Sequence, residues 1–166
     1  RSIQHPNVQY SQQCLPWMVG ARFDVENKQW KPAFTKNYDE LKRRTFVEKS
    51  KLLSLISSNK KITSGHRQRM EFIDKVAKYF GNDIDIFGNE FNALEDKWDA
   101  LSHYEYTIVL ENSSIPDYWS EKLSDSFLSL TYPFYFGAPN ISDYFSLKSL
   151  TTINIENADE SLLQLK

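Results

Sequence analysis

The chain has 166 residues, 40% of them hydrophobic, enough to bury one core of ordinary domain size with an appendage but not two full domains. A net charge of −2 and a pI near 5.9, with Lys and Arg dispersed apart from Lys42-Arg43-Arg44, give no field that would hold a polyanion, so nucleic acid is excluded as the principal partner. No apolar run approaches the roughly 20 residues of a membrane helix, and Cys14, alone, can form neither an intrachain disulfide nor a thiolate metal cluster, so a reducing, cytosolic setting is expected.

Residues 1–50 hold Pro6, Pro16 and Pro32, isolated aromatics (Tyr10, Trp17, Phe23, Trp30, Phe34) and no sustained period of 2 or 3.6. They read as an extended connector that must pack on something, helical only near Tyr38–Lys49. The chain opens on Arg1 rather than Met and its first fifty residues differ in texture from the rest, which leads us to expect a piece of a longer protein.

From Lys51 the pattern is regular. LLSLIS (52–57) is a strand, and SGHRQRMEFIDKVAKYF (64–80) spaces Met70, Ile73, Ala77 and Phe80 as an amphipathic helix that Gly81-Asn82 stops. DIDIFG (83–88) is a second strand, DKWDAL (96–101) a short helix, and YTIVL (106–110) a third strand. WSEKLSDSFLSL (119–130) puts Leu123, Phe127 and Leu130 on one helical face. YPFYFG (132–137) is β-prone, ISDYF (141–145) a helical turn, SLTTINI (149–155) β-branched, and Asn157 can cap ADESLLQLK (158–166). Strands alternating with helices predict a doubly wound α/β fold with a mainly parallel sheet over residues 51–166, ligands gathering outside the strands' carboxyl ends. Those places are 57–64, 87–91, 111–118 and 136–140.

LENSSIPDYWSEKL (110–123) fills the third of them. A helix beginning near Tyr118 or Trp119 puts Glu121 and Lys122 in its first turn, where free N–H groups and the helix dipole favour an anion and Lys122 adds a charge. The same residues serve plain capping, with Asp117 or Ser120 as N-cap, and the local sequence by itself favours that use. Of Arg67 and Arg69, one can lie at the mouth of the sheet, where a guanidinium fork suits two phosphate oxygens, while the other faces solvent. Asp83-Ile84-Asp85 has the form of a cation-binding pair of carboxylates, but it stands at the beginning of a strand rather than its end, so a structural role is expected and no metal site is assigned. Among five glycines there is no phosphate-binding or nucleophile-elbow motif, and His5, His66 and His103 show no ligand spacing.

In combination, SSNKKITSGHRQRMEFIDKV (57–76), DIDIFGN (83–89), YEYTIVLENSSIPDYWSEKL (104–123), YPFYFGAPNISDYF (132–145) and SLTTINIEN (149–157) resemble the C-terminal half of the family 10 glycosyltransferases, the α-1,3/1,4-fucosyltransferases. The resemblance covers roughly residues 51–160 and rests most on an apolar strand followed by E-N-S, a short loop and a Y-x-T-E-K-like stretch. It implies the Rossmann-like C-terminal domain of a GT-B enzyme, with residues 1–50 leading from an N-terminal acceptor domain that is partial or not part of this chain. It further implies GDP-fucose as donor, a glycan hydroxyl as acceptor, and no required cofactor.

The resemblance maps the donor site onto Arg69, Asn112, Tyr118, Glu121 and Lys122. Arg69 and Lys122 would neutralise the diphosphate, and Glu121 would engage hydroxyls of sugar or ribose; these three are the expected catalytic residues. Inversion by direct attack is implied, with a general base from the N-terminal domain that nothing in residues 1–50 matches. Ser120 stands where Thr is usual and Tyr132 where Val is commoner. Lys60 replaces a cysteine of animal and plant members, which suggests a bacterial member, peripheral to the inner membrane. A family-like transferase of another nucleotide-sugar and a non-catalytic nucleotide-binding module stay open.

Overall fold

The computed structural model describes residues 6–7, 17–57, 64–88 and 91–165. His5, Cys14 and Lys60 lie outside the described residues, as do 58–63 and 89–90 of the first two expected ligand loops. The chain begins with an antiparallel hairpin, β1 (Ala21–Asp24) and β2 (Gln29–Phe34), followed by α1 (Tyr38–Arg43). The remainder is β3 (Lys51–Ile56), α2 (Ser64–Phe80), β4 (Ile84–Phe87), α3 (Lys97–Leu101), β5 (Tyr104–Leu110), α4 (Glu121–Leu128), β6 (Tyr132–Phe136), β7 (Thr151–Thr152) and α5 (Ala158–Gln164).

The five-stranded sheet is parallel throughout, in the order β4-β3-β5-β6-β7. The chain starts in β3, crosses over α2 to β4 on one side, then returns through α3 to β5 on the other. That reversal opens a crevice between the carboxyl ends of β3 and β5, the place where such sheets bind ligands. Helices α2 and α5 cover one face, with Leu53, Leu55, Ile108 and Phe134 beneath them. Helices α3 and α4 cover the other, where Val109, Leu123 and Tyr135 are buried. The expected doubly wound α/β architecture is the observed one.

Helix α2 has the predicted limits, but its buried stripe is Arg69, Phe72, Ile73 and Val76, with Met70, Ala77 and Phe80 only half-buried. The stripe's centre is therefore one residue from that read in the sequence, and Arg69 shares it at spacings of three and four from Phe72 and Ile73. Burying a side chain such as Phe72 contributes about 1.5–3 kcal/mol, which holds the whole stripe, Arg69 included, against the sheet. Gly81, at φ 55°, ends the helix as its sequence predicts.

Three expectations need correction. Residues 1–50 are more than an extended connector with one helix, because they contain the hairpin; Asp24 Oδ1 accepts from the Asn27 N–H at 3.0 Å and Lys28 takes φ 54°, which together turn the chain. Helix α4 begins at Glu121 rather than near Tyr118, and it ends at Leu128, so the exposed Leu130 (φ 53°) is not on its apolar face. The β-branched run 149–155 gives a strand of only Thr151–Thr152, although the Ile153 N–H continues the ladder to Tyr135 O at 2.9 Å.

Candidate functional site

A cavity of about 430 Å³ opens over the reversal of strand order, walled by Ile56 and Ser57 at the end of β3, Gly88 after β4, and Leu110 and Asn112 at the end of β5. Arg69, Asn112, Glu121 and Lys122 all line it. The fifth expected residue, Tyr118, does not: it stands half-buried in the turn before α4, its N–H bonded to Ile115 O at 3.3 Å. Of the two candidate arginines, Arg69 enters the cavity and Arg67 is exposed.

Glu111 organises this end of β5. Its backbone N–H extends the ladder to Phe136 O at 2.8 Å, and its side chain is wholly buried. Oε1 accepts from the Ser120 N–H and Oγ–H, both at 2.7 Å, and Oε2 accepts from Lys122 Nζ at 2.7 Å. Ser120 is the N-cap of α4, its Oγ accepting from the Lys122 N–H at 3.4 Å. Capping thus operates as the local sequence suggests, and a buried carboxylate ties the cap to the strand.

Arg69 is 5% exposed and makes no ion pair among the described residues. Its Nη1 donates to the Asn112 side-chain oxygen and, at 3.5 Å, to Glu111 O; its Nε has no partner among the described residues. Desolvation pushes its pKa down, against the attraction of Glu111 and Tyr118. A buried guanidinium with an unused donor and a neutral partner is stabilised when an anion arrives.

On the far wall Lys97 donates to Asp125 Oδ2 at 2.9 Å and to Glu121 Oε1 at 3.4 Å. Burial pushes the Glu121 carboxyl up, but the charges of Lys97 and Lys122 outweigh it and hold the group below the ordinary carboxylate range. Asp125 is fully buried, and its Oδ1 accepts from the Met18 and Val19 N–H groups at 2.6 and 3.0 Å. Phe23 of β1 completes this wall.

Asp83 and Asp85 are at the opposite, amino end of β4. Asp83 is exposed, while Asp85 accepts from Lys51 Nζ at 2.8 Å and from the Tyr104 hydroxyl at 2.7 Å, so the D-x-D carries a surface ion pair rather than a part of the cavity. Sequence reasoning missed Glu111, Lys97, Asp125 and Phe23. Glu111 was legible as the acid of E-N-S; the others lie in segments with no motif to mark them.

The model for glycosyltransferase family 10 (fucosyltransferase), C-terminal, matches residues 46–159. The chain is 31% identical over 74 residues to the alpha-(1,3)-fucosyltransferase FucT of Helicobacter pylori, which is 44% of this chain and 16% of that protein. It is 40% identical over 60 residues to an alpha-(1,4)-fucosyltransferase of Arabidopsis thaliana, 33% of this chain and 15% of that one. The crystal structure of an alpha1,3-fucosyltransferase with GDP superposes at a TM-score of 0.57 and 25% identity over 69% of this chain and 34% of that one. The chain thus spans about a third of the crystallised enzyme and matches smaller shares of the two curated relatives. With its parallel sheet, its crevice and the matched residues in agreement, the chain belongs to glycosyltransferase family 10, the fucosyltransferases, of which residues 46–159 form the C-terminal part.

Proposed function

We propose that this chain is the donor-binding half of an inverting fucosyltransferase that moves fucose from GDP-fucose to a hydroxyl of an acceptor glycan. The observation that carries the reading is Arg69: among the described residues its buried guanidinium has no carboxylate partner and its Nε no acceptor, and it stands in the wall of a cavity at the carboxyl ends of β3 and β5. Lys122 adds a second cation at the helix end. The names of the relatives and the GDP in the superposed structure support the same donor.

In the reaction, the acceptor oxygen forms a bond to the anomeric carbon as the bond from that carbon to the diphosphate breaks, and GDP leaves. The acceptor's proton goes to a base on an N-terminal acceptor domain that residues 1–50 would join to this half. Arg69 and Lys122 spread the charge that grows on the leaving diphosphate; a positioned donor of this kind is worth about 10²–10³ in rate. Asn112 steers the guanidinium, while Glu121 contacts hydroxyls of the donor. We place the protein in the bacterial cytosol, peripheral to the inner membrane.

Calorimetry on this chain tests the donor reading. GDP binds the wild type, and Arg69→Met and Lys122→Met each weaken it at least about tenfold, the loss expected for a charged hydrogen bond. Lys75→Met, an exposed control on α2, leaves it unchanged. Equal affinity in all four would sink the assignment. Binding should survive EDTA; a strict Mn²⁺ requirement would point back to Asp83 and Asp85. Turnover of the longer protein with GDP-fucose, GDP-mannose and UDP-sugars identifies the sugar.

A further inference from the structure

We infer that Lys97 is a positioning residue of this site, holding the Glu121 carboxylate ready to accept hydrogen bonds from a vicinal diol of the bound nucleotide-sugar. The inference rests on the donor-site reading and deepens it.

Glu121 and Asp125 are four residues apart on α4, so their carboxylates face the same way and repel each other. Lys97, the first residue of α3, stands between them, 2.9 Å from Asp125 Oδ2 and 3.4 Å from Glu121 Oε1. One ammonium turns a repulsive pair into a bridge between two helices.

The three groups are not equally free to move. Asp125 has no exposed surface, and its Oδ1 is taken by the N–H groups of Met18 and Val19, so the carboxylate is locked on both sides. Lys97 is locked through it, with a side chain 19% exposed. Glu121 is the least enclosed of the three, 29% exposed and, among the described residues, hydrogen-bonded to another side chain through Oε1 alone. It lines the same cavity as Arg69 and Lys122. A carboxylate anchored by one edge and open at the other is an acceptor for two adjacent hydroxyls, and its anchoring is done before the ligand arrives. Either the ribose or the transferred sugar can present that diol.

Lys97→Met alone would strand the buried Asp125 charge, so the test uses Lys97→Met together with Asp125→Asn. The amide oxygen still accepts from Met18 and Val19, while the cation and the charge it compensates leave together. Calorimetry on this chain compares 2′,3′-dideoxyguanosine diphosphate, GDP and GDP-fucose. The double variant is expected to bind the dideoxy diphosphate like the wild type and GDP-fucose about tenfold more weakly. If GDP weakens by the same factor the diol is that of the ribose; if GDP is unaffected it is that of the sugar. Unchanged GDP-fucose affinity overturns the inference. So does an equal loss for the dideoxy compound, which would make Lys97 only a strut between helices. A wild type that binds none of the three removes the donor-site reading itself.

Discussion

The Glu111 carboxylate, at the end of a central strand, and the Lys122 ammonium, in the first turn of the following helix, stand 2.7 Å apart across eleven residues of chain. The same carboxylate takes the N–H and hydroxyl of Ser120, so one buried acid sets both the start of α4 and the position of its cation. Lys122 remains 27% exposed, its charge compensated on one side and open to the cavity on the other.

Replacing Glu111 by Gln keeps the shape but turns one acceptor into a donor facing Ser120 or Lys122. Breaking a buried pair in this way costs about 3 kcal/mol. A urea titration of Glu111→Gln should show that loss, and GDP affinity should fall with it, because Lys122 and the N-cap lose their reference point. A variant of unchanged stability would show that these contacts of Glu111 contribute nothing to the fold.

Gly137 makes this arrangement possible by having no side chain. A Cβ there would stand 2.1 Å from the Tyr135 hydroxyl and 2.7 Å from Glu111 Cγ, both inside van der Waals contact. The Tyr135 hydroxyl accepts from the Ala138 N–H at 2.9 Å, which pins the loop after β6. Gly137→Ala must displace the tyrosine or the acid, at a cost of about 1–3 kcal/mol, and should lower the melting temperature. A melting temperature equal to the wild type's would show that the loop moves freely.

The fold was legible because most helices and strands after Lys51 carry their own period and stop signal, the limits of α4 and the length of β7 being the exceptions. What was not legible depended on partners distant in sequence. The hairpin was hidden by Pro32 and by a short first strand with no alternation, since its stability comes from packing rather than propensity. Helical spacing alone did not separate Arg69 from Arg67; the resemblance picked Arg69, and the position of the buried stripe of α2 gives the physical reason. Lys97 and Asp125 sit in different segments, so no spacing could bring them together before the two helices were placed on one face of the sheet.

Lys49 shows how such long-range contacts bind the two helices at their other ends. Its ammonium donates to Ser102 O, at the end of α3, to Ser129 O, at the end of α4, both at 3.0 Å, and to Thr131 Oγ1 at 3.1 Å. Lys49→Met should therefore cost about 1–3 kcal/mol, because the Ser102 and Ser129 carbonyls lose this donor. Burial pushes the lysine's pKa down to about 8 from its ordinary 10.5. Between those values the folded chain has released a proton that the unfolded chain still holds, so this group's contribution to stability rises with pH across that window. Denaturant midpoints of wild type and Lys49→Met should diverge further from pH 8 to 10; convergence would contradict the sign.

The segment before β3 is fastened by two buried acids. Asp125 Oδ1 takes the N–H groups of Met18 and Val19, and Asp96 Oδ1 takes that of Gly20 at 2.8 Å, while the Phe23 N–H reaches Glu95 O at 2.6 Å. Val19 is wholly buried against Leu41 and Leu101. Residues 17–24 thus pack on the α3 and α4 side and bring Phe23 into the cavity wall, rather than passing by as a tether. Asp125→Ala leaves two backbone donors without an acceptor, about 1–3 kcal/mol, whereas Asp125→Asn retains one. Amide exchange at Met18 and Val19 should accelerate in the alanine variant while β3 and β5 stay protected, and the asparagine variant should lie between. If all amides accelerate together, the segment and the sheet open as one unit, and the docked chain is as much a part of the domain as α4 itself.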